Sequence, residues 1–425
     1  MARAARRAGR QAQSIGLLLA ALLAACANTG DPPGGPPDVA PPSIVTVRPE
    51  SGAVVPDWKD DAVIQFDEVI DEMASGGGSG GAGITGLARQ VVLSPVVGDV
   101  RVSWGRTRIR VKPKEGWKPG RVYHLELLPG IVDLRRNRLS NGRLVVFSTG
   151  PTIGQASLTG TALQWVEQRA MIGAVIEAVP LPDSIGYITV ADSTGTFRVD
   201  ALSPGRYVVY ATADQNNNRR RDRREAYDSA LVTLDSAASV TLYAFVHDTA
   251  GPRLRLATAL DSISVRLEFS QPLAAGVPID TARVRVLQLP DSGAVAIAAI
   301  LNPRQYDSLT AAERSVAKPD TGAARGDSTP ARTPAARGAP AASVDTSDVR
   351  RLLAQRPVPF DKVVLRFRRP LTPETRFVIR VRGAVNLNGA AGDGQVVVLT
   401  PKPPAPAKSD STPTPPRPTP PRPPQ

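Results

Sequence analysis

Short segments in which apolar and polar residues alternate recur along the chain from residue 43 onward. In Val100–Trp104 and Arg108–Val111 every second side chain is apolar, which is the period of a half-buried β-strand. Gly, Pro, Asn and Asp separate the segments every few residues, as expected for turns. Between residues 43 and 150 no long helical period interrupts them. The pattern predicts an all-β chain of tandem β-sandwich domains.

The strand segments fall into three blocks. The first covers residues 43–150, the second 155–246 and the third 250–400. The third block repeats features of the first, since Trp117–Leu127 aligns with Leu371–Val381. Such self-similarity indicates an internal duplication. We therefore predict three consecutive β-domains, the third of which is a second copy of the first.

Three segments are predicted to lie outside these domains. Residues 26–42 are rich in Pro and Gly and should form an extended tether. Residues 306–349 are crowded with Ala, Thr, Ser and Pro without a period, which predicts a disordered insertion in the third domain. Residues 401–425 contain 12 Pro in 25 positions and should form a semi-rigid polyproline II tail.

The N-terminal residues 1–25 have the features of a secretory signal peptide. Four Arg residues precede the eleven-residue apolar run Ile15–Ala25, which is shorter than the roughly 20 residues that a spanning helix needs. Cys26 follows and is the only cysteine of the chain. Disulfides, zinc thiolate sites and a cysteine nucleophile are therefore excluded in the lipidated chain.

The sequence Leu23-Ala24-Ala25-Cys26 resembles the bacterial lipobox. The resemblance implies that the signal peptide is removed and that Cys26 is lipidated, with palmitate among the attached acyl groups. It also implies a protein anchored in the bacterial cell envelope through its N-terminal lipid. Because Ala27 and not Asp follows the cysteine, the outer membrane is the favoured location, with the domains facing the periplasm or the surface. The alternative is an ordinary signal peptide that ends beside a cysteine.

The first block resembles the bacterial Ig-like domain family of S-layer and envelope proteins. The matching motifs are Phe66-Asp67-Glu68, Gly130–Asn137 and the closing Phe147–Gly150. The resemblance implies an Ig-like β-sandwich. The third block departs from the motif at Asn386, where the first block has Asp133.

The second block resembles the carboxypeptidase-regulatory, or prealbumin-like, family through its Asp192–Phe197 turn and its Pro204–Tyr207 strand start. Members of that family are mostly non-catalytic accessory modules. Together with the lipobox and the tether, the order of domains resembles Ig-like domain-containing lipoproteins. This resemblance implies a structural or binding module of the cell envelope that is not an enzyme.

The loop 214–225 has the spacing of an EF-hand calcium loop, with oxygen-bearing side chains at positions 1, 3, 5, 9 and 12. Two features oppose calcium binding: position 6 is Arg219 where Gly is usual, and five Arg residues outnumber three acidic ones. A solvated turn is the alternative. The candidate ligands are Asp214, Asn216, Asn218, Arg220 through its carbonyl oxygen, Asp222 and Glu225.

Two further functions stay open as alternatives. A carbohydrate- or peptidoglycan-binding lipoprotein should expose Trp side chains for stacking on sugar rings. A glycoside hydrolase would use the paired carboxylates Asp67 and Glu68. Partners are then an envelope protein or a glycan. Nucleic acid is disfavoured despite a net charge of +13, because the chain is exported and its Arg residues are dispersed outside 219–224.

Overall fold

The computed structural model describes residues 37–73, 84, 86–316 and 347–402. In these ranges the strands form five sheets around three apolar cores. The predicted all-β class of tandem β-sandwiches is confirmed. No helix in the described ranges is long and apolar enough to cross a membrane. The predicted signal peptide, Cys26 and all but the first two residues of the Pro-rich tail lie outside the described residues.

The first sandwich consists of two antiparallel sheets, with strand orders β1-β2-β5-β4 and β3-β6-β7. Alternate side chains of the facing strands fill its core, where Ile64, Ile109 and Tyr123 are almost wholly buried. A 3-10 helix, Gly86–Gln90, precedes β3. The strands are β1 (Ile44–Arg48), β2 (Ala62–Phe66), β3 (Val91–Ser94), β4 (Val100–Trp104), β5 (Arg108–Pro113), β6 (Val122–Leu127) and β7 (Arg143–Ser148).

The second sandwich is a single sheet that folds over its own core, in the order β11-β10-β13-β14-β15-β8-β12, with β9 beside β8. Strands β14 and β15 pair only through Ala226–Val246 and Tyr227–Phe245, and this short pairing joins the two halves. Strand β15 runs parallel to β8. The strands are β8 (Ala156–Gln164), β9 (Arg169–Ala170), β10 (Val175–Pro180), β11 (Tyr187–Val190), β12 (Thr196–Leu202), β13 (Gly205–Thr212), β14 (Ala226–Leu234) and β15 (Ala237–Val246).

The third sandwich has two sheets with the orders β16-β17-β21-β20 and β19-β18-β22-β23. Apart from the short β19, these orders repeat those of the first sandwich. A 3-10 helix, Thr281–Arg283, precedes β18. The strands are β16 (Leu254–Ala259), β17 (Ser264–Leu273), β18 (Val284–Gln288), β19 (Gly293–Ala294), β20 (Ile297–Leu301), β21 (Phe360–Phe367), β22 (Arg376–Val385) and β23 (Ala391–Leu399).

The first and third sandwiches share a hydrogen bond at equivalent positions. Thr149 directly follows β7, and its hydroxyl donates to the carbonyl oxygen of Lys118 at 2.7 Å. Thr400 directly follows β23, and its hydroxyl donates to the carbonyl oxygen of Thr372 at 2.6 Å. Buried hydroxyls need a hydrogen-bonding partner. Each Thr hydroxyl therefore holds the segment that leads into the neighbouring strand, β6 or β22, in the same way. This register supports the internal duplication.

The segment 306–349, for which the sequence predicts disorder, begins and ends in helices. Helix α1 is Pro303–Val316 and helix α2 is Ser347–Leu353; residues 317–346 lie outside the described residues. Helix α2 buries Val349 and Leu353 against the second sandwich. The composition did not reveal this helix because its apolar residues find their partners on another domain.

Candidate functional site

The loop 214–225 between β13 and β14 is folded by hydrogen bonds from its own backbone N–H groups to its own side chains. The carboxylate of Asp214 accepts hydrogen bonds from the N–H groups of Asn218 at 3.0 Å and Arg219 at 2.9 Å. The side-chain oxygen of Asn216 also accepts from the N–H of Asn218, at 3.0 Å. These are the side chain to backbone bonds of Asx turns, and they curl the chain around the Asp214 carboxylate.

Two loop residues have left-handed backbone conformations, Asn217 with φ 58° and Arg219 with φ 55°. Position 6 of an EF-hand loop is usually Gly because the turn there is sharp. Arg219 makes its turn at this position with a side chain present, at a cost of roughly 1–2 kcal/mol. The missing Gly therefore does not prevent an EF-hand-like turn.

Side chains close the other half of the loop. One carboxylate oxygen of Asp222 accepts hydrogen bonds from the amide groups of Asn216 at 2.6 Å and Asn218 at 3.0 Å. The buried Glu225 accepts hydrogen bonds from the backbone N–H groups of Gln215 and Asp222. Both Asn residues thus turn nitrogen and not oxygen toward Asp222. Because calcium takes oxygen ligands, both amides would have to rotate to bind it.

Arg219 joins this loop to the first sandwich. Its guanidinium donates hydrogen bonds to the carbonyl oxygens of Val91 at 2.5 Å and Arg89 at 2.6 Å. Burial lowers the pKa of Arg219 to about 10, although the nearby carboxylates of Asp214 and Glu126 act in the opposite direction. A half-buried guanidinium that satisfies two carbonyl groups is costly to displace.

Two neighbouring Arg residues also point away from the loop. The guanidinium of Arg220 lies 3.6 Å from the carboxylate of Asp99 in the first sandwich. The guanidinium carbon of Arg221 lies 3.9 Å from the ring centre of Tyr210, a cation–π contact. Much of the positive charge that opposes calcium binding in the sequence is therefore directed away from the candidate ligands.

The first and second sandwiches also meet where β3 and β6 contact β11. The N–H of Ile188 donates to the hydroxyl oxygen of Ser94 at 2.9 Å. The ring of His124 lies 4.6 Å from the ring of Tyr187. His124 is 3% exposed and its Nε2 has no partner among the described residues. Burial lowers the pKa of His124 to about 4, so the imidazole is neutral at pH 7.

A groove of about 760 Å³ lies beside this contact. Charged side chains of both signs line it, and burial raises the pKa of Glu126 among them. Three Arg residues and three acidic residues line it, so the groove has no net preference for one sign of charge. The charged residues of its lining are Arg89, Glu126, Arg143, Asp192, Asp214 and Arg219.

The predicted carboxylate pair of the first sandwich is divided between two roles. Asp67 accepts hydrogen bonds from the N–H of Ser43 at 2.8 Å and from its hydroxyl at 2.6 Å, which lowers the pKa of Asp67. Glu68 instead faces Asp38 and Asp133, with carboxylate oxygens of all three within 4.8 Å of one another. Burial and the Asp133 charge raise the pKa of Glu68. Asp67 thus has a structural role, because it joins the residue before β1 to the end of β2.

The third sandwich has two amides and one carboxylate at the corresponding place. Asp248, Gln271 and Asn386 occupy the positions of the three carboxylates. The amide of Asn386 donates to the side-chain oxygen of Gln271 at 2.9 Å, and the amide of Gln271 donates to the carboxylate of Asp248 at 2.8 Å. Hydrogen bonds here replace the repulsion between like charges.

The second histidine has no free ring nitrogen. His247 is stacked between Tyr227 and Phe245, with ring centres 3.9 and 4.2 Å away. One ring nitrogen lies 3.0 Å from the carbonyl oxygen of Tyr227, and the other lies 3.1 Å from the side-chain amide nitrogen of Asn388. His247 therefore helps join the second sandwich to the third.

All four Trp side chains are more than half-buried. Trp117 packs edge-on against Tyr123, with ring centres 4.9 Å apart, and the indole N–H of Trp165 donates to the carbonyl oxygen of Pro357. Trp104, at 38%, is the most exposed of the four. A platform of several exposed Trp rings, as the glycan-binding alternative expects, is not formed.

Residues 38–149 match the family model of the bacterial Ig-like domain. This Ig-like domain corresponds to the first sandwich and contains the motifs that carried the resemblance in the sequence. The match covers about a quarter of the chain. No curated protein sequence matches the chain.

Solved structures with similar β-domains are distant. The major pilin subunit of Bacillus cereus is 12% identical, with 48% of this chain and 71% of that chain covered and a TM-score of 0.18. A DUF3823 family protein from Bacteroides uniformis is 7% identical, with 58% of this chain and 100% of that chain covered and a TM-score of 0.17. Scores this low support no argument about function.

The contacts that join the domains were not identified from the sequence. The sequence indicated Arg219 only as a residue that opposes calcium binding, and the first three residues of helix α2 fall in the segment predicted to be disordered. One signal was present for α2: Val349, Leu352 and Leu353 have the i, i+3, i+4 spacing of an apolar helix face.

Proposed function

We propose that the chain is a lipid-anchored structural or binding module of the bacterial cell envelope without catalytic activity. In this proposal the second sandwich is a prealbumin-like domain and the third is a second Ig-like domain. The observation that carries the proposal is that successive sandwiches are joined by the hydrogen bonds of the half-buried Arg219 and by the buried side chains of helix α2. Domains fixed to one another in this way suit a scaffold that presents loops and strand edges to partners.

Three of the residues that could perform catalysis are otherwise engaged. His124 is buried in a domain contact, and both ring nitrogens of His247 lie near hydrogen-bonding partners. Asp67 is held by Ser43. A general base must reach its substrate within hydrogen-bonding distance, which none of these three groups is free to do. These contacts support a non-enzymatic role over the hydrolase alternative.

The lipid anchor is proposed from the lipobox sequence Leu23–Cys26, and it can be tested directly. The full precursor would be expressed in a bacterial host with radioactive palmitate, and its membrane and soluble fractions compared. We expect Cys26→Ser to lose the label and to leave the membrane fraction, because no other thiol can accept the diacylglyceryl group.

Ala27→Ser is the matched control, since it changes the next residue and keeps the thiol. It should be labelled and membrane-bound like the natural chain. If the Cys26→Ser chain remains in the membrane fraction with its label, the proposed anchor is wrong.

A further inference from the structure

The last strands of the first and third sandwiches have equivalent places but different surroundings. In the first, Gly52–Val55 lies along β7, whose residues Val146 and Ser148 are buried. The N–H of Gly52 donates to the carbonyl oxygen of Val146 at 2.7 Å. The N–H of Ser148 donates to the carbonyl oxygen of Ala53 at 2.9 Å, and Val54 pairs in parallel with Ser148. The chain thus covers the outer edge of β7 itself.

The third sandwich lacks such a covering segment. The connection from β1 to β2 has 13 residues, 49–61, and includes Gly52–Val55. The connection from β16 to β17 has four residues, 260–263, and turns directly back into the sheet. A tight turn of this length has no residues left to run along a second strand. The outer edge of β23 therefore receives nothing from its own β16–β17 connection.

Two side chains at the end of β23 are exposed. Pairing with β22 puts Val397 and Leu399 in the places that Val146 and Ser148 hold beside β6. Val397 is 51% exposed and Leu399 is 60% exposed. Within the described ranges, β23 pairs with β22 alone.

Strand β16 packs closely against the beginning of β23. A side chain added at Gly392 or Gly394 would collide with the backbone of Pro252 or Leu254. Leu256, further along β16, is 49% exposed. No backbone hydrogen bond from another described segment reaches Val397 or Leu399 on the side away from β22, so the uncovered part of the edge is the second half of β23.

The second half of this edge lacks the usual protection. Sheet edges are normally blunted by Lys, Pro, bulges or short length, because their free N–H and C=O groups pair with other chains. Strand β23 has nine residues and ends in Val396-Val397-Val398-Leu399, with neither Lys nor Pro. Such an edge is suited to adding a strand from a partner.

The charge of the sheet indicates which kind of strand would add to β23. Four exposed Arg residues lie on β18 and β22, and none forms a salt bridge with a described residue. Asp393 is the only acidic residue on β18, β19, β22 and β23. A strand that adds to β23 thus lies beside a basic face, which favours acidic side chains. The Arg residues are Arg285, Arg376, Arg380 and Arg382.

We propose that the outer edge of β23 binds an extended, acidic segment of a partner protein by strand addition. The backbone groups of Val397 and Leu399 make the hydrogen bonds that Val146 and Ser148 make to Gly52–Val55. Acidic side chains of the segment pair with Arg376 and Arg380. The chain's own Pro-rich tail is unsuited as the occupant, because Pro has no N–H to donate.

The test uses the purified mature chain and two fluorescent ten-residue peptides, one alternating Val with Glu and one alternating Val with Lys. Fluorescence anisotropy measures binding, and hydrogen exchange measures the protection of β23. We expect the Glu peptide to bind at least tenfold more tightly than the Lys peptide and to slow amide exchange in β23 but not in β7. High salt should weaken the binding.

Two variants separate the backbone from the charges. Leu399→Pro removes the outward N–H and should reduce binding at least tenfold, whereas the matched control Leu399→Thr keeps that N–H and should bind. Arg376→Glu combined with Arg380→Glu should reverse the preference between the peptides. Hydrogen exchange of β7 and β22 shows whether each variant is folded.

Three outcomes would overturn the proposal. The first is equal binding of both peptides, or binding that Leu399→Pro leaves intact. The second is no binding of the Glu peptide at millimolar concentration. The third is sedimentation that shows a dimer lost in Leu399→Pro, which assigns the edge to a second copy of the chain. The proposal rests on the binding role proposed above but not on the lipid anchor, so membrane fractionation tests the anchor separately.

Discussion

His124 shows how a single polar residue can report on the contact between two domains. It sits on β6, 3% exposed, with its ring against Tyr187 of the second sandwich. Protonation would place a charge in a dry contact, and burial therefore lowers the pKa of His124 to about 4 from an ordinary value of 6.5. The neutral form stabilises the folded state.

This shift predicts a loss of stability in acid. Between pH 6.5 and about 4 the unfolded chain binds a proton at His124 that the folded chain does not. The free energy of unfolding should therefore fall as the pH drops through this range, by about 3 kcal/mol from this residue. Well above pH 6.5, His124 is neutral in both the folded and the unfolded chain, so it causes no loss of stability there. Urea unfolding at pH 7 and pH 4 measures it.

The variant His124→Gln removes the titrating group and should lose less stability between the two pH values than the natural chain. His247→Gln is the control, since it leaves His124 in place and should keep that contribution. An unchanged difference between pH 7 and pH 4 in His124→Gln would show that the buried imidazole is not its source.

Calcium binding by the loop 214–225 stays a prediction. The loop has the left-handed turn at Arg219 that the motif requires, and much of its Arg charge is directed outward. Its oxygens already accept hydrogen bonds, so we expect weak binding, with a Kd on the order of 0.1–1 mM, as in extracellular modules. Isothermal titration calorimetry measures this.

Glu225→Gln keeps a hydrogen-bond acceptor but removes the charge of position 12, and it should lose calcium binding. Asp192→Asn, in a turn of the same sandwich outside the loop, is the control and should bind like the natural chain. Calcium heats that are identical in the natural chain and in Glu225→Gln would exclude the loop as the site.

At the scale of elements, helix α2 acts as a clamp between the third and second sandwiches. Leu353 is buried in a cluster with Leu163 and Tyr243 of the second sandwich. The hydroxyl of Tyr243 also donates to the carbonyl oxygen of Leu352 at 2.8 Å. A seven-residue helix is not stable by itself, so this packing supports it.

Truncating Leu353 to Ala should release the clamp. Removing a buried Leu side chain costs about 2–5 kcal/mol of stability. The backbone hydrogen bonds of so short a helix do not compensate for that loss. We expect faster amide exchange and faster proteolysis at residues 347–357, with the strands of the third sandwich unchanged. Arg351→Ala, at an exposed site on the same helix, should leave both rates as they are.

At the scale of the whole molecule, the proposed anchor and the β-domains make an experiment on intact cells informative. If the chain faces the cell surface, protease added to intact cells should digest the described β-domains. If it faces the periplasm, digestion should require lysis. Immunoblotting of the mature chain distinguishes these results, and a known periplasmic protein controls for leakage. Digestion in intact cells would favour surface adhesion, and protection would favour an envelope scaffold.

Much of this organisation could be predicted from local sequence. Alternation in segments such as Arg108–Val111 indicates strands, because a half-buried strand has a side-chain period of two. The likeness of Trp117–Leu127 to Leu371–Val381 indicated the duplication that the hydrogen bonds of Thr149 and Thr400 support. The Asx turns of the loop 214–225 follow from its own Asp and Asn residues.

The amino-acid sequence by itself determined the all-β class and the positions of the strands, since these depend on side-chain alternation and turn residues close along the chain. Only the tertiary structure decided the partners of Arg219, the clamp formed by helix α2 and the open edge of β23. Each depends on groups far apart in sequence: Arg219 reaches Val91, and β23 is left open because the β16–β17 turn is short. Local sequence patterns do not encode these features, because the features form only when separate sheets pack together.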